Sequence, residues 1–324
     1  MTIHPMTPAQ APAAKELFNA CAAAGETLYK PFDTQADFDR FFLDRGGADE
    51  ARVCLWAEEG FAAGCYTAHD QKAYVTFVAV RPELRRRGCG RALLAALEAA
   101  LTEVSGGAVK TYEISFFNPM SFTWLIPGAG GHDHPNAPGA DVGSGSYIFL
   151  KCCGYRDFAY QNSYHLDLAD YRFSPDIQQR IQALREKGIE ITFYDPARHT
   201  GLKELMDDLN NDLWRRDVLG NAALPGGGKP LLIVDWNGRA MGFTGPLAVQ
   251  ESGRGYFAGI AVHSACRGSG AGKVLFSHLC SSLGEMGARY MTLFTGEQNP
   301  ARNIYEAAGF HIVRTWADMR KTNP

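Results

Sequence analysis

Two stretches of this chain place arginine and glycine where a helix must begin. One is VHSACRGSGAGKVLF (262–276) and the other VRPELRRRGCGRALL (80–94). Each opens like a buried strand and closes like an amphipathic helix. The first backbone N–H groups of a helix have no partner within it and point outward, where the helix dipole is positive. Glycine leaves no Cβ in the way of an anion. Arg267 and Lys273 add charge to one such start, and Arg85, Arg86, Arg87 and Arg91 to the other. The chemistry this suits is the holding of a phosphate or pyrophosphate directly after a strand.

The two stretches belong to a repeat. Val80 aligns with Val262, Arg85 with Arg267, Gly88 with Gly270 and Gly90 with Gly272, all at an offset of 182. Upstream, Gly60 and Gly64 align with Gly238 and Gly242 at 178, and downstream Asn118 aligns with Asn299 at 181. Gly154-Tyr155 then aligns with Gly309-Phe310 at only 155, which locates an insertion of 26 residues in the first copy. Self-similarity over this span means one architecture built twice.

The elements that must position the two loops read alike in both copies. An opening strand leads into helical segments (11–24 and 37–44; 200–213), then two short strands about a glycine turn and a mostly apolar strand (73–80; 256–262). The loop and its helix follow, then another strand and a short helix ending at Gly-aromatic. Alternating strands and helices predict a mixed α/β sheet domain, twice. Between them, RFSPDIQQRIQALREKGIEI predicts a connecting helix with Ser174 as N-cap, Pro175 at its first position and Gly188 at its end. The expected organisation is a first domain over 1–167 with an insertion near 119–145, a linker helix over 168–189 and a second domain over 190–324.

Two other phosphate-binding patterns fail. A Walker loop needs Ser or Thr after Gly-Lys, but Val274 follows Gly272-Lys273, and Pro230 stands in that place after Gly226–Lys229. The dinucleotide fingerprint needs a different glycine spacing and an early position, which neither copy has. The pattern [R/Q]-x-x-G-x-[G/A] after a strand ending in Val resembles motif A of the GCN5-related N-acetyltransferase (GNAT) superfamily. It stands here as Arg85-Arg86-Arg87-Gly88-Cys89-Gly90 and as Arg267-Gly268-Ser269-Gly270-Ala271-Gly272. The segment NPARNIYEAAGF (299–310) is similar to that family's closing N-x-x-A-x-x-x-Y-E-x-x-G-F run. The resemblance covers nearly the whole chain as a tandem.

The resemblance implies an α/β (α+β) fold of two tandem GNAT-like domains, each with a mixed, mostly antiparallel central sheet flanked by helices. It implies acetyl-CoA as acyl donor, with pyrophosphate on Arg267–Lys273 in one copy and Arg85–Arg91 in the other. The pantetheine would pair along Ile260, Ala261 and Val262, or along Val78, Ala79 and Val80, with Asn299 and Arg302 assisting. Tyr305 would protonate the leaving thiolate. A general base is not evident: neither apolar strand carries an acid, and Glu297 is the nearest candidate, with a water relay or an already neutral amine left open. In the first copy the position of Tyr305 is Leu150, and Tyr147 lies one turn earlier. The expected activity is transfer of acetyl to a primary amine of a small molecule, catalysed in the second copy. The alternatives are catalysis in the first copy, or an idle acetyl-CoA sensor.

The insertion, MSFTWLIPGAGGHDHPNAPGADVGSG, is expected to lack regular structure because of its Gly and Pro content. Its apolar residues must pack on something, and Trp124, His132 and His134 are its candidate acceptor-side residues. Two histidines one residue apart are weak metal spacing, so no metal is expected. The net charge of −3 argues against a nucleic-acid binder. No apolar run approaches the roughly 18 residues that span a bilayer. The first residues lack the basic and apolar regions of a secretory signal. Eight scattered cysteines without a CxxC pair read as core residues of a reducing, cytoplasmic protein. A homodimer is compatible with all of this.

Overall fold

The computed structural model describes residues 1–323. In the first copy the chain runs β1 (His4–Pro5), α1 (Ala11–Ala23), α2 (Gln35–Phe42), β2 (Glu50–Ala57), β3 (Gly60–Thr67), β4 (Lys72–Val80), α3 (Cys89–Val104), β5 (Thr111–Ile114), β6 (Trp124–Leu125), β7 (Asp133–His134), β8 (Ala140–Asp141), α4 (Gly145–Cys152) and β9 (Arg156–Asp167). After α5 (Pro175–Arg185), the second copy runs β10 (Ile189–Phe193), α6 (Leu202–Leu209), α7 (Asp212–Ala222), β11 (Leu232–Trp236), β12 (Arg239–Thr244), β13 (Arg254–Gly255), β14 (Ile260–Val262), α8 (Ala271–Glu285), β15 (Tyr290–Gly296), α9 (Arg302–Ala307) and β16 (His311–Thr322). The order of elements is the same twice, apart from β6 to β8 in the insertion and from β13 and β14, which together stand where the first copy has the single β4.

Two compact units result: Met1–Asn162 with Arg314–Pro324, and Ser163–Val313. The last strand of the sequence therefore serves the first unit, through residues 314–322, whereas division of the sequence alone leaves those residues with the second copy. Pairing sets the reason. Met319 lies opposite Ile114 and Lys321 opposite Tyr112, antiparallel to β5.

In the first unit β1 to β4 pair antiparallel in sequence order, β4 pairs parallel to β5, and residues 314–322 flank β5. The helix α3 shows why it packs there: Leu93, Leu94, Leu97 and Leu101 form one buried stripe. Each fully buried leucine contributes roughly 1.5–3 kcal/mol of transfer free energy. That stripe covers one sheet face, with Val75, Tyr112, Ala317 and Met319. The opposite face holds an aromatic core of Phe18, Phe38, Phe42, Phe61, Phe77 and Phe122 under α1 and α2.

In the second unit β10, β11, β12 and β14 form an antiparallel sheet, and β13 pairs parallel with β15. The helix α8 buries Val274, Leu275, Leu279 and Leu283 against this unit's main core. The single helix expected over 200–213 is two helices. Asn210 takes a left-handed φ of 48° at the end of α6, and Asn211 caps α7 by accepting from the Trp214 amide. Paired asparagines favour both roles and break the helix. A helix does follow Ser174, whose hydroxyl accepts from Ile177 N, but it lies within the second unit, where Leu184 joins the main core.

The insertion has more order than its composition suggests. β6 pairs with β7, and β8 pairs with Trp316 and Ala317. Leu125 N donates to Leu28 O, and Lys30 N to Thr123 O. Partners far away in sequence supply these bonds, so local Gly and Pro content does not reveal them.

Candidate active site

Both loops form the same backbone shape. In the second unit a short 3-10 turn (Ser264–Cys266) precedes Arg267; Gly268 (φ 76°) and Gly270 (φ 87°) are left-handed, and α8 starts at Ala271. In the first unit the turn Pro82–Leu84 precedes Arg85; Arg86 (φ 62°) and Gly88 (φ 85°) are left-handed, and α3 starts at Cys89. Alternation of left- and right-handed residues turns successive amides toward one concavity, a nest suited to an anion. Around Gly268 and Gly88 the space where a Cβ would stand is open. The amides of Gly268, Gly270 and Gly272 have no hydrogen-bond partner among the described residues. Ser269 spends its hydroxyl on the loop: it donates to Cys266 O at 2.6 Å and accepts from Ala271 N at 3.2 Å. Gly272 and Gly90 instead face the closing helix, with Ile304 and Phe149 standing 3.5 and 3.4 Å from where a Cβ would be.

The cations differ between the loops. Arg267 is exposed, and Lys273 is half-buried in the first turn of α8. Arg180 of α5 also reaches this loop, its Nη1 standing 3.4 Å from where a Gly270 Cβ would be. Nothing local marks Arg180, because it lies outside both copies. In the first unit Arg86, Arg87 and Arg91 are exposed, but Arg85 is engaged. Its Nε donates to Val80 O at 2.8 Å, and its guanidinium grips both oxygens of Glu26 at 2.5 and 2.8 Å. These hydrogen bonds hold the Glu26 carboxyl below its ordinary value. Arg85 therefore braces the loop.

Beside each loop two strands part. β4 and β5 pair only from Lys72 to Tyr74 against Thr111 to Glu113. Beyond that, Val78, Ala79 and Val80 bond to β3 on one side alone. A register shift leaves Thr76 out of the ladder, where its hydroxyl accepts from Asn118 Nδ2 at 3.0 Å. In the second unit Arg254 and Gly255 pair with β15, whereas Ile260, Ala261 and Val262 pair with β12. Gly259 makes the change with a φ of 131°, and its carbonyl accepts from the Thr244 hydroxyl. Each opening exposes a strand edge to which an extended chain can add.

The closing helices show the sharpest difference. Tyr305 on α9 is 6% exposed, with its ring among Phe257, Phe276, Phe310 and Tyr164. Burial pushes its phenol up to about 12. In the first unit Leu150 fills the matching place. Tyr147 is tied up: its hydroxyl donates to Asp157 at 2.8 Å and accepts from Lys151, and Tyr160 donates to the same carboxylate. Burial opposes the ionisation of Asp157, but these donors hold it below its usual value.

The remaining candidates are less engaged. Asn299 accepts from Ala301 N at 3.0 Å and so starts the turn into α9. Arg302 pairs with Glu306 at 3.2 Å and reaches Glu297 O. The exposed Glu297 carboxylate has no hydrogen bond or ion pair among the described residues. Trp124 is fully buried, packed edge-on against Trp316 at 4.9 Å. His134 is also buried and His132 half-buried, so these three form wall rather than open surface. Among the described residues no three His, Cys, Asp or Glu side chains gather as a metal site, and no helix is long and apolar enough to cross a membrane.

The acetyltransferase (GNAT) family model matches residues 14–116 and 194–310, more than half the chain. The chain belongs to this family of acyltransferases, twice over. No curated protein matches it by sequence. Among solved structures, it resembles a GCN5-related glucosamine N-acetyltransferase region of a fungal multi-domain GH3 β-N-acetylglucosaminidase, with a TM-score of 0.64 and 15% identity. That match covers 99% of this chain and only 38% of the other, so the chain spans well under half of that protein. A GCN5-related N-acetyltransferase from Sphaerobacter thermophilus matches with a TM-score of 0.60 and 17% identity, over 99% of this chain and 95% of the other. A tandem GNAT protein from the clavulanic acid biosynthesis pathway matches at 0.57 and 17%, over 100% and 99%. At these identities the likeness is one of fold.

Proposed function

We propose that the chain transfers an acetyl group from acetyl-CoA to a primary amine of a small molecule, and that the second unit carries the turnover. The observation that carries this reading is the coexistence, in that unit, of an open-amide loop at 268–272, a parted strand edge at 260–262 and the buried phenol of Tyr305. The loop amides with Arg267 and Lys273 would hold the pyrophosphate. The strand edge would align the thioester, whose carbonyl oxygen needs donors as charge develops on it. Asn299 and Arg302 flank its arm. The amine attacks the carbonyl carbon; the C–N bond forms as the C–S bond breaks. Tyr305 gives its proton to the departing sulfur. A phenol held up to about 12 stays protonated across the working pH range. The amine nitrogen sheds a proton as the amide forms, and Glu297 is the candidate to take it.

The first unit, on this reading, binds CoA without efficient turnover, because Leu150 offers no proton. The acceptor class follows from likeness alone. One neighbour is named for glucosamine. The tandem architecture is also similar to that of mycothiol synthase, so an amine on a sugar-like or thiol-bearing metabolite is the first to try. Free cysteines throughout fit a cytoplasmic setting. The test is release of free CoA from acetyl-CoA with glucosamine and a set of primary amines, alongside calorimetry with acetyl-CoA. Binding near micromolar, about −8 kcal/mol, is expected. Tighter binding of NADH or ATP, or no CoA release with any amine, would overturn the reading.

A further inference from the structure

The base missing from the sequence has a candidate in the first unit. Along β5, Tyr112 and Ile114 face the α3 core, so Glu113 and Ser115 face the other way. Along residues 314–322, Ala317 and Met319 face that same core, so Trp316, Asp318 and Arg320 face the other way. The antiparallel register sets Arg320 opposite Glu113 and carries Asp318 to Ser115, just past the end of β5. This is where β4 and β5 have already parted. Asp318 is 1% exposed and Ser115 3% exposed.

Asp318 is only half satisfied. Its Oδ2 accepts from Gln161 Nε2 at 2.8 Å, while Oδ1 is buried without a partner, as is Ser115 Oγ. The insertion approaches Asp318 at Gly139, where a Cβ would come 3.4 Å from Oδ1. The neighbouring acid, Glu113, is ion-paired through Oε1 with Arg320 at 2.7 Å and through Oε2 with Lys72 at 3.4 Å, although Oε2 makes no hydrogen bond. Burial first, and then the charge of Glu113, push the Asp318 carboxyl up to about 6, against the hydrogen bond from Gln161 and the pull of the nearby Phe116 amide. A buried carboxylate oxygen without a donor is costly, and purely structural carboxylates are normally satisfied.

We propose that Asp318 is the general base of a second acyl-transfer site, in the first unit, with Ser115 positioning the amine. The proposal rests on the acyl-transfer reading above. The ammonium N–H bond of the acceptor breaks and its proton passes to Asp318 Oδ1. The freed lone pair forms the C–N bond at the thioester carbonyl. The C–S bond breaks and its electrons leave on sulfur; the nitrogen, now bonded to the carbonyl carbon, sheds its second proton to the thiolate, and Asp318 returns the first proton to solvent. A base poised near neutral pH suits this step, and a thiol leaves readily enough to tolerate the missing acid.

The experiment uses the full chain carrying Gly270→Val, which empties the second seat. CoA release from acetyl-CoA is measured with glucosamine and the same amines from pH 5 to 9. We expect residual turnover whose rate rises through pH 6. Adding Asp318→Asn should lower kcat by about 10²–10³, with the KM for acetyl-CoA within about twofold, and should erase that limb. Ser115→Ala should cost about tenfold. The limb is what a structural role would not move; Glu113, Lys72 and Arg320 are unchanged, and melting should be no lower with the neutral side chain. Retained turnover and limb in Asp318→Asn would overturn the proposal. If that variant does not fold, the profile of the Gly270→Val chain decides, and absence of a limb near 6 overturns it. If the unaltered chain releases CoA and Gly270→Val does not, this proposal alone falls; no release by either removes the acyl-transfer reading as well.

Discussion

The two units run the same backbone through the same loop and then arm it with opposite chemistry. The second unit keeps glycine at both left-handed positions, an exposed Arg267 and a buried phenol on the closing helix. The first puts arginine in one left-handed position, locks Arg85 onto Glu26 and replaces the phenol with leucine. It gains a 26-residue insertion and, next to the parted strands, a half-satisfied carboxylate. A duplicated fold retains what backbone geometry enforces and lets side-chain chemistry diverge. The loop shape is enforced because strand, turn and helix must still connect; an acid or a base is under no such constraint.

The largest break in this comparison comes at the two glycine caps. Gly270→Val puts a β-branched residue at φ 87° in the seat, beside Arg180, at a conformational cost of roughly 1–2 kcal/mol in addition to blocking the anion. A fall of about 10³ in kcat/KM for acetyl-CoA is expected, dominated by lost binding. Gly88→Val should cost the first unit its CoA while sparing most turnover. If calorimetry shows two CoA sites in the unaltered chain and one in each variant, with turnover following Gly270, the division of labour stands. Turnover following Gly88 would move the principal site to the first unit.

How far the sequence reveals this depends on whether a feature is local. The loops, the repeat and the linker cap are set by residues within a few positions of one another, so spacing alone locates them. The Arg85–Glu26 clamp joins residues 59 apart, and the Gln161–Asp318 bond joins residues 157 apart. Neither leaves a local mark. The ownership of residues 314–322 is invisible for the same reason: nothing in the strand's own sequence names the edge it pairs with. The insertion was legible in its position and its need to pack, but its strands depend on Leu28 and Trp316 as distant partners.

The insertion offers the next test, because the second unit has no counterpart. Trp124→Ala removes a fully buried ring from contact with Trp316 and leaves a cavity. A loss of about 3–5 kcal/mol is expected in urea unfolding followed by near-ultraviolet circular dichroism. The loss should fall in the transition of the first unit. A change under 1 kcal/mol would mean that the insertion is a loose flap.

Tyr305→Phe sharpens the comparison at the closing helix. It removes one hydroxyl and little volume from an aromatic cluster, so folding should survive. Because the thiol leaves readily, kcat should fall by about a hundredfold, the low end for an acid–base group. Burial raises this phenol, so the folded state keeps its proton to higher pH than the unfolded chain. Its contribution to stability is complete below pH 10 and is lost as pH rises toward 12. The rate should therefore show no alkaline decline from this group below about pH 11 in the unaltered enzyme. A Tyr305→Phe enzyme with full kcat would leave the second unit without an identified acid and make it the equal of the first.

The smallest effect, and the most direct probe of the first seat, is at Glu26. Its carboxylate holds the guanidinium of Arg85 at the edge of a loop whose other arginines are exposed. An incoming pyrophosphate meets one negative charge there and one cation already paired. Both side chains are about a third exposed, so the pair itself is worth little, within the 0.2–1 kcal/mol of surface ion pairs. Glu26→Gln keeps the shape and removes the charge. Stability should fall by less than about 1 kcal/mol. Acetyl-CoA affinity of the first seat, measured by calorimetry in the Gly270→Val chain, should rise by about two- to fivefold at low salt and converge on the parent value at high salt. The two predictions separate two roles for Arg85. If releasing it raises affinity, Arg85 is a phosphate ligand restrained by Glu26. If affinity falls together with stability, the clamp is what keeps the Arg86 backbone in its left-handed turn, and the first loop is held by an ion pair where the second needs only glycine.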